Sequence, residues 1–152
     1  MIDRREWLRR SLGGAVAALV TGALPLPALA PVAATVYKDA GCGCCKAWIT
    51  HLERNGFEVT AHDATAMGQV KANLGVPSAL HSCHTAVVGG YVVEGHVPAD
   101  LIHRMLRERP KVAGLAVPGM PMGSPGMEGA RKEPYDVLAF DAKGRTHVYA
   151  KR

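Results

Sequence analysis

Thr35-Val36-Tyr37-Lys38-Asp39-Ala40-Gly41-Cys42-Gly43-Cys44-Cys45-Lys46-Ala47-Trp48 reads as a strand, a turn and the opening of a helix. Thr35 to Lys38 is a short β-prone run, and Asp39-Ala40-Gly41 is a turn signal. From Cys44 to Asn55 the apolar residues Ala47, Trp48 and Leu52 recur at helical spacing, and Asn55-Gly56 marks the stop. Three of the chain's four cysteines therefore fall in four positions where a strand hands over to a helix.

Downstream, Phe57 to Ala61 alternates as a strand, and Ala64 to Leu74 reads as a second short helix closed by Gly75. Two β-branched runs, Thr85 to Val88 and Tyr91 to Glu94, flank Gly89-Gly90 as a hairpin does. Pro98 opens a third helix carrying Leu101, Ile102, Met105 and Leu106 on one face, and Pro110 stops it. Residues 118–134 form a Met/Gly/Pro loop. Asp136 to Phe140 and Thr146 to Tyr149 flank Asp141-Ala142-Lys143-Gly144 as a C-terminal hairpin. The order β-α-β-α-β-β-α predicts an α/β fold of thioredoxin-like layout, a central mixed sheet with flanking helices.

The N-terminus predicts an export signal over residues 1–34. Arg4-Arg5 followed by Glu6, Trp7 and Leu8 resembles a twin-arginine leader, and the run from Leu12 to Leu29 is apolar. Ala28-Leu29-Ala30 offers a cleavage site, although Pro31 hinders it and Ala34 is an alternative. The apolar run is short and broken by glycine and proline, so no stable membrane span is expected after cleavage. The domain proper is then 35–152, placed in the periplasm. The leader holds four of the 18 basic and two of the 13 acidic side chains, leaving 14 against 11 and a net charge of +3. With no Lys/Arg stripe and only 5% aromatic residues, a nucleic-acid partner has no support.

The cysteine cluster carries the chemistry. At a helix N-terminus, free backbone N–H groups and the positive end of the dipole favour thiolate over thiol. Cys42 and Cys45 have the C-x-x-C spacing of a redox pair or of half a zinc site, and Cys44 adds a third sulfur to the same turn. Three such thiolates plus Cys83 suit low-coordinate Cu(I), or sulfur bridging several copper ions, better than the separated pairs of a zinc site. Two readings stay open beside metal binding: thiol–disulfide exchange at Cys42 and Cys45, and structural bridges. In a thioredoxin-like layout, Ser82-Cys83-His84 just before the third strand lies against the cysteine turn. That brings in Cys83 as the fourth sulfur and His84 as a secondary ligand or a support to one, beside the plain reading of His84 as a loop histidine with no metal. His81, His96 and His103 have weaker claims. Met120, Met122 and Met127 set three thioethers in a loop without hydrophobic periodicity, where capture or covering of copper competes with ordinary packing.

These segments together resemble the CopG-like family of exported, copper-resistance-associated metal-binding proteins, long catalogued as a domain of unknown function. The resemblance rests on Cys42-Gly43-Cys44-Cys45-Lys46-Ala47-Trp48, Gly75-Val76-Pro77, the run Ser82 to Pro98, and Gly114 to Pro121. It extends from about Thr35 to Phe140. It implies a thioredoxin-like fold and copper held by Cys42, Cys44, Cys45 and Cys83, as a multinuclear cluster. It also implies a redox role in handling Cu(I) and Cu(II). The expected partners are copper ions and other periplasmic copper-handling proteins. A metallochaperone is a further alternative, and the residues favour metal binding over catalysis without deciding whether the chain is an enzyme.

Overall fold

A computed structural model describes residues 30–152. Most of the expected export signal, residues 1–29, lies outside the described residues. The chain runs β1 (Val32–Lys38), α1 (Gly43–Arg54), β2 (Phe57–Asp63), α2 (Met67–Asn73), a 3-10 turn (Ser78–Leu80), β3 (His84–Val88), β4 (Tyr91–Glu94), α3 (Ala99–Glu108), β5 (Gly114–Ala116), β6 (Asp136–Phe140) and β7 (Thr146–Lys151). The strands form one mixed sheet in the order β2-β1-β3-β4-β5-β6-β7. β1 is parallel to β2 and β4 to β5, and the other neighbours are antiparallel. Among the described residues, no helix is long and apolar enough to cross a membrane.

Alternation along the strands divides the core between the two faces of the sheet. Val36, Ala86, Val88, Val93, Leu115 and Val137 pack with Trp48 and Leu52 of α1 and Ile102 and Met105 of α3. The opposite parity, Val92, Ala116 and Phe140, packs with Val76 and Leu80 after α2. The shared face explains why α1 and α3 carry apolar stripes. His51 ties the two helices together by accepting the Ala99 N–H at Nε2, 3.1 Å away, at the start of α3.

Local chemistry accounts for the turns. Gly89 and Gly90 both have positive φ, 56° and 86°, as a two-residue hairpin turn requires. Asn55 and Gly56 close α1, with Gly56 at φ 84°. Some elements differ from the sequence expectation. β1 begins at Val32 instead of Thr35, and α2 begins at Met67 instead of Ala64. β5 is an element the sequence does not predict. Its three residues are buried on both faces, so no alternation announces it. Gly114 is required there, since a Cβ would sit 1.9 Å from the Val92 carbonyl oxygen.

One buried ion pair fastens α2 to the sheet beside Cys83. Lys71 Nζ donates to Glu94 Oε1 at 2.6 Å and to Thr85 Oγ1 at 2.9 Å, while Thr85 Oγ1 donates to Glu94 Oε2 at 2.6 Å. Glu94 Oε1 also accepts the Ser82 backbone N–H at 2.6 Å, which fixes the residue before Cys83. The Glu94 side chain is fully buried and that of Lys71 only 5% exposed. Breaking such a pair strands a charge, whereas replacing both partners with apolar groups does not. Glu94→Ala should therefore lower the unfolding free energy by about 3–5 kcal/mol in urea denaturation. Adding Lys71→Met to the same chain should restore part of the loss, because the stranded ammonium is gone while the Ser82 N–H and the Thr85 hydroxyl still lack their acceptor.

Candidate metal centre

β1 ends at Lys38, and the Asp39 carboxylate accepts the Gly41 N–H at 2.8 Å to shape the turn into α1. Cys42 is the N-cap, its sulfur accepting the Cys45 N–H at 3.3 Å, and the first helical turn holds no acidic residue. One turn of helix sets the Cα atoms of Cys42 and Cys45 5.3 Å apart, and the two are joined as a disulfide. Cys44 and Cys83 are free thiols. Cys44 Sγ lies 3.6 Å from Cys42 Sγ, 3.8 Å from Cys83 Sγ and 3.9 Å from Met120 Sδ. All four cysteine sulfurs fall within 4.8 Å of one another. With the Cys42–Cys45 bridge reduced, these four sulfurs are the donor set of a soft metal, with no carboxylate among them.

The thiols do not all sit where the helix dipole would ionise them. Cys83 approaches from the strand side, and its thiol is pushed up to about 12 by burial first and by the neighbouring Cys44 second. The dipole expectation therefore does not extend to Cys83. Bringing all four sulfurs together as thiolates in this pocket needs a cation to offset their repulsion, and binding one releases the protons.

Two histidines complete the surroundings. His84 is fully buried, its ring 4.2 Å from that of Trp48, and its Nδ1 lies 3.2 Å from Cys83 Sγ. Burial, with His96 and Lys71 adding to it, holds its pKa down to about 3, so the ring is neutral at physiological pH. Its Nε2 is buried and has no hydrogen-bond partner. His96, given a weaker claim from sequence, lies as close: Nε2 is 3.0 Å from Cys83 Sγ, and Nδ1 donates to the Pro125 carbonyl at 2.7 Å. A readable signal for it existed. Thr85 pairs with Glu94 and Val88 with Tyr91 across the Gly89-Gly90 turn. Counting outward in that register sets Cys83 opposite His96. His81 instead meets the Val76 carbonyl, and His103 lies on Phe57 and reaches the Asn55 carbonyl.

The 118–134 loop runs over the N-terminus of α1. Gly126, at φ +89°, passes so close that a Cβ would sit 2.7 Å from the Cys44 carbonyl oxygen and 2.9 Å from the Trp48 nitrogen. Ser82 Oγ donates to the Gly119 carbonyl at the other end of the crossing. Of the three loop methionines, Met120 is brought to the sulfurs while staying half exposed. The Met122 methyl lies against Gly129, and the Met127 backbone closes turns with Gly123 and Ser124.

The bonding state is directly checkable. Alkylation of the native protein without reductant should label Cys44 and Cys83 only, with Cys83 the slower because its thiol is buried and hard to ionise. After reduction and unfolding, peptide mass mapping should find all four cysteines labelled.

A family described as "Protein of unknown function, DUF411" matches residues 80–127, the segment from Leu80 through Met127 that carries Cys83, His84, His96 and the loop methionines. Among curated proteins none matches. Two solved structures of a copper resistance protein copG, forms 2 and 1, are 53% identical to this chain. Each comparison covers 80% of this chain and 98% of the other, with TM-scores of 0.77 and 0.76. At that identity and coverage, the chain belongs to the CopG-like copper-resistance family.

Proposed function

We propose that this is a periplasmic copper-binding protein that sequesters Cu(I), or cycles its charge, through Cys42, Cys44, Cys45 and Cys83. The observation that carries the reading is the gathering of four cysteine sulfurs within 4.8 Å at the mouth of α1. An all-sulfur set favours Cu(I), and thiolates can bridge, so more than one ion is expected. Met120, half exposed and 3.9 Å from Cys44, supplies a neutral thioether at the entrance. Met122 and Met127 are read as parts of the covering loop. The fold reading is thioredoxin-like: the first four strands lie in the order β2-β1-β3-β4 with β3 antiparallel to its neighbours. Export through the N-terminal leader is part of the same proposal. Cleavage after Ala30 leaves β1 whole, whereas cleavage after Ala34 removes three of its seven partners in β2 and the buried Ala34.

The Cys42–Cys45 bridge supports a second reading, redox activity at the same site. Reducing the bridge takes two electrons and two protons and yields two thiols, and each Cu(I) passing to Cu(II) releases one electron. Two Cu(I) therefore match one bridge. A thiol–disulfide oxidoreductase acting without copper would use the same pair.

Anaerobic titration of the reduced protein against a strong chelator should show more than one Cu(I) per chain, and Cys44→Ser should lower that number. A wild-type protein that takes no Cu(I) would sink the copper reading. Insulin reduction in the absence of copper separates the alternative: robust turnover that survives Cys44→Ser favours the oxidoreductase.

A further inference from the structure

We propose that the end of the domain opposite the sulfur site is a docking surface for anionic phospholipid, carried by Arg107, Arg109, Lys111 and Lys143. The surface is separate from the copper reading and does not depend on it.

Strand direction defines the two ends. Lys38 of β1 lies opposite His84, and Thr85 of β3 opposite Glu94, so the last residues of β1 and β4 share the sulfur site's end with the start of β3. The reverse end gathers the start of β1, the Gly89-Gly90 turn and the start of β5. Phe140 pairs with Gly114 and with Thr146, which sets the β6–β7 turn there as well. α3 runs back to the same end. Leu106 in its last turn packs so close to Gly89 that a Cβ there would sit 2.5 Å from Leu106 Cδ2.

Two chain segments bring cations to this end. Arg107 comes from the last turn of α3, Arg109 and Lys111 from the link to β5, and Lys143 from the β6–β7 turn, and all four are exposed. Arg109 lines a depression with Gly89, Gly90 and Tyr91, and Lys111 lines another with Asp141, Arg145 and His147. Among the described residues none of the four forms an ion pair. The acids beside them are already engaged: Glu108 accepts from Arg104 at 2.8 Å, and Asp141 from Arg145 at 2.6 Å. Glu53 of α1 and Glu58 of β2 lie toward the β2 edge, beyond β1 and β3.

Compensation of a helix dipole accounts for cations in and just after the last turn of a helix. Arg107 and Arg109 meet that need. Lys111, past Pro110, and Lys143, on a separate hairpin, do not. Arg109 also takes φ 48°, the one positive φ outside glycine among the described residues. Glycine or asparagine occupies such a helix end at lower cost. The chain holds a guanidinium there instead.

The point where the chain enters favours a lipid surface over an acidic protein. β1 starts at this end, its Val32 N–H donating to the Gly56 carbonyl at 3.0 Å. The apolar run Leu12 to Leu29 precedes it in the chain. On the export reading, that leader brings this end to the membrane and leaves the sulfur site facing away. Each cation near an anionic leaflet strengthens the attraction about fivefold, so four supply a reversible hold that outlasts the leader.

The full chain is mixed with vesicles of phosphatidylcholine, alone or with added phosphatidylglycerol, and backbone hydrogen exchange is followed by mass spectrometry. Whatever the leader does on neutral lipid, the difference between the two vesicles reads the domain. We expect exchange over 107–112 and 141–146 to slow on the anionic vesicles alone, with none over 129–133 at the other end. Arg109→Gly suits the positive φ, so that the loss of charge leaves the fold intact. Combined with Lys111→Gln, it should raise the lipid concentration needed for half the slowing about 25-fold, at about fivefold per cation. Arg131→Gln with Lys132→Gln should leave that concentration unchanged. Absence of slowing on anionic vesicles, equal slowing over 129–133, or slowing indifferent to Arg109→Gly with Lys111→Gln overturns the inference. Slowing confined to the basic end upholds it whether or not the chain takes Cu(I).

Discussion

The antiparallel pairing of β1 with β3 places Lys38 opposite His84. The last residue of one strand thereby lies beside the first residue of another. β1 continues through a four-residue turn into α1, whose first turn holds Cys42, Cys44 and Cys45. β3 is entered through Ser82 and Cys83. Two segments some forty residues apart in sequence meet at one edge of the backbone because a single register requires it. The helix could form without this contact, but the four-sulfur set could not.

Around that junction the structure commits polar groups with little slack. The Lys71–Glu94 pair holds the Ser82 N–H from one face of the sheet, and Trp48 holds the His84 ring from the other. The 118–134 loop closes over the top, attached through Ser82 to Gly119 and through His96 to Pro125, with Gly126 passing too near α1 for any side chain. The result is a pocket of neutral soft donors with no carboxylate among them. Such a pocket disfavours uncompensated thiolates, as the raised Cys83 shows, and a soft cation supplies the missing charge.

Much of this was legible in the chain. The Gly89-Gly90 hairpin, the Pro98 helix start and the C-terminal hairpin follow from turn chemistry and periodicity, which act over a few residues. β5 was not legible, because three buried residues carry no period. The early start of β1 was hidden for a different reason: Val32-Ala33-Ala34 reads equally well as the end of a leader. Cys83 joins the site only through the layout expected of the fold. The nearness of His96 to Cys83 was legible in the hairpin register, which aligns the two, but a histidine after a glycine turn carries no local mark of it.

By itself the sequence determined the local chemistry: three sulfurs in one helical turn, a fourth before a strand, and a methionine-bearing loop too rich in glycine and proline to be regular. Tertiary structure decided which of these meet. It joined Cys42 to Cys45 and left Cys44 and Cys83 free, brought Met120 alone of the loop methionines to the sulfurs, and set two imidazoles against Cys83. Spacing and capping are short-range properties that a sequence carries on its face. The meeting of distant side chains depends on sheet register and on how a loop crosses a helix, and these are settled only when the whole core packs.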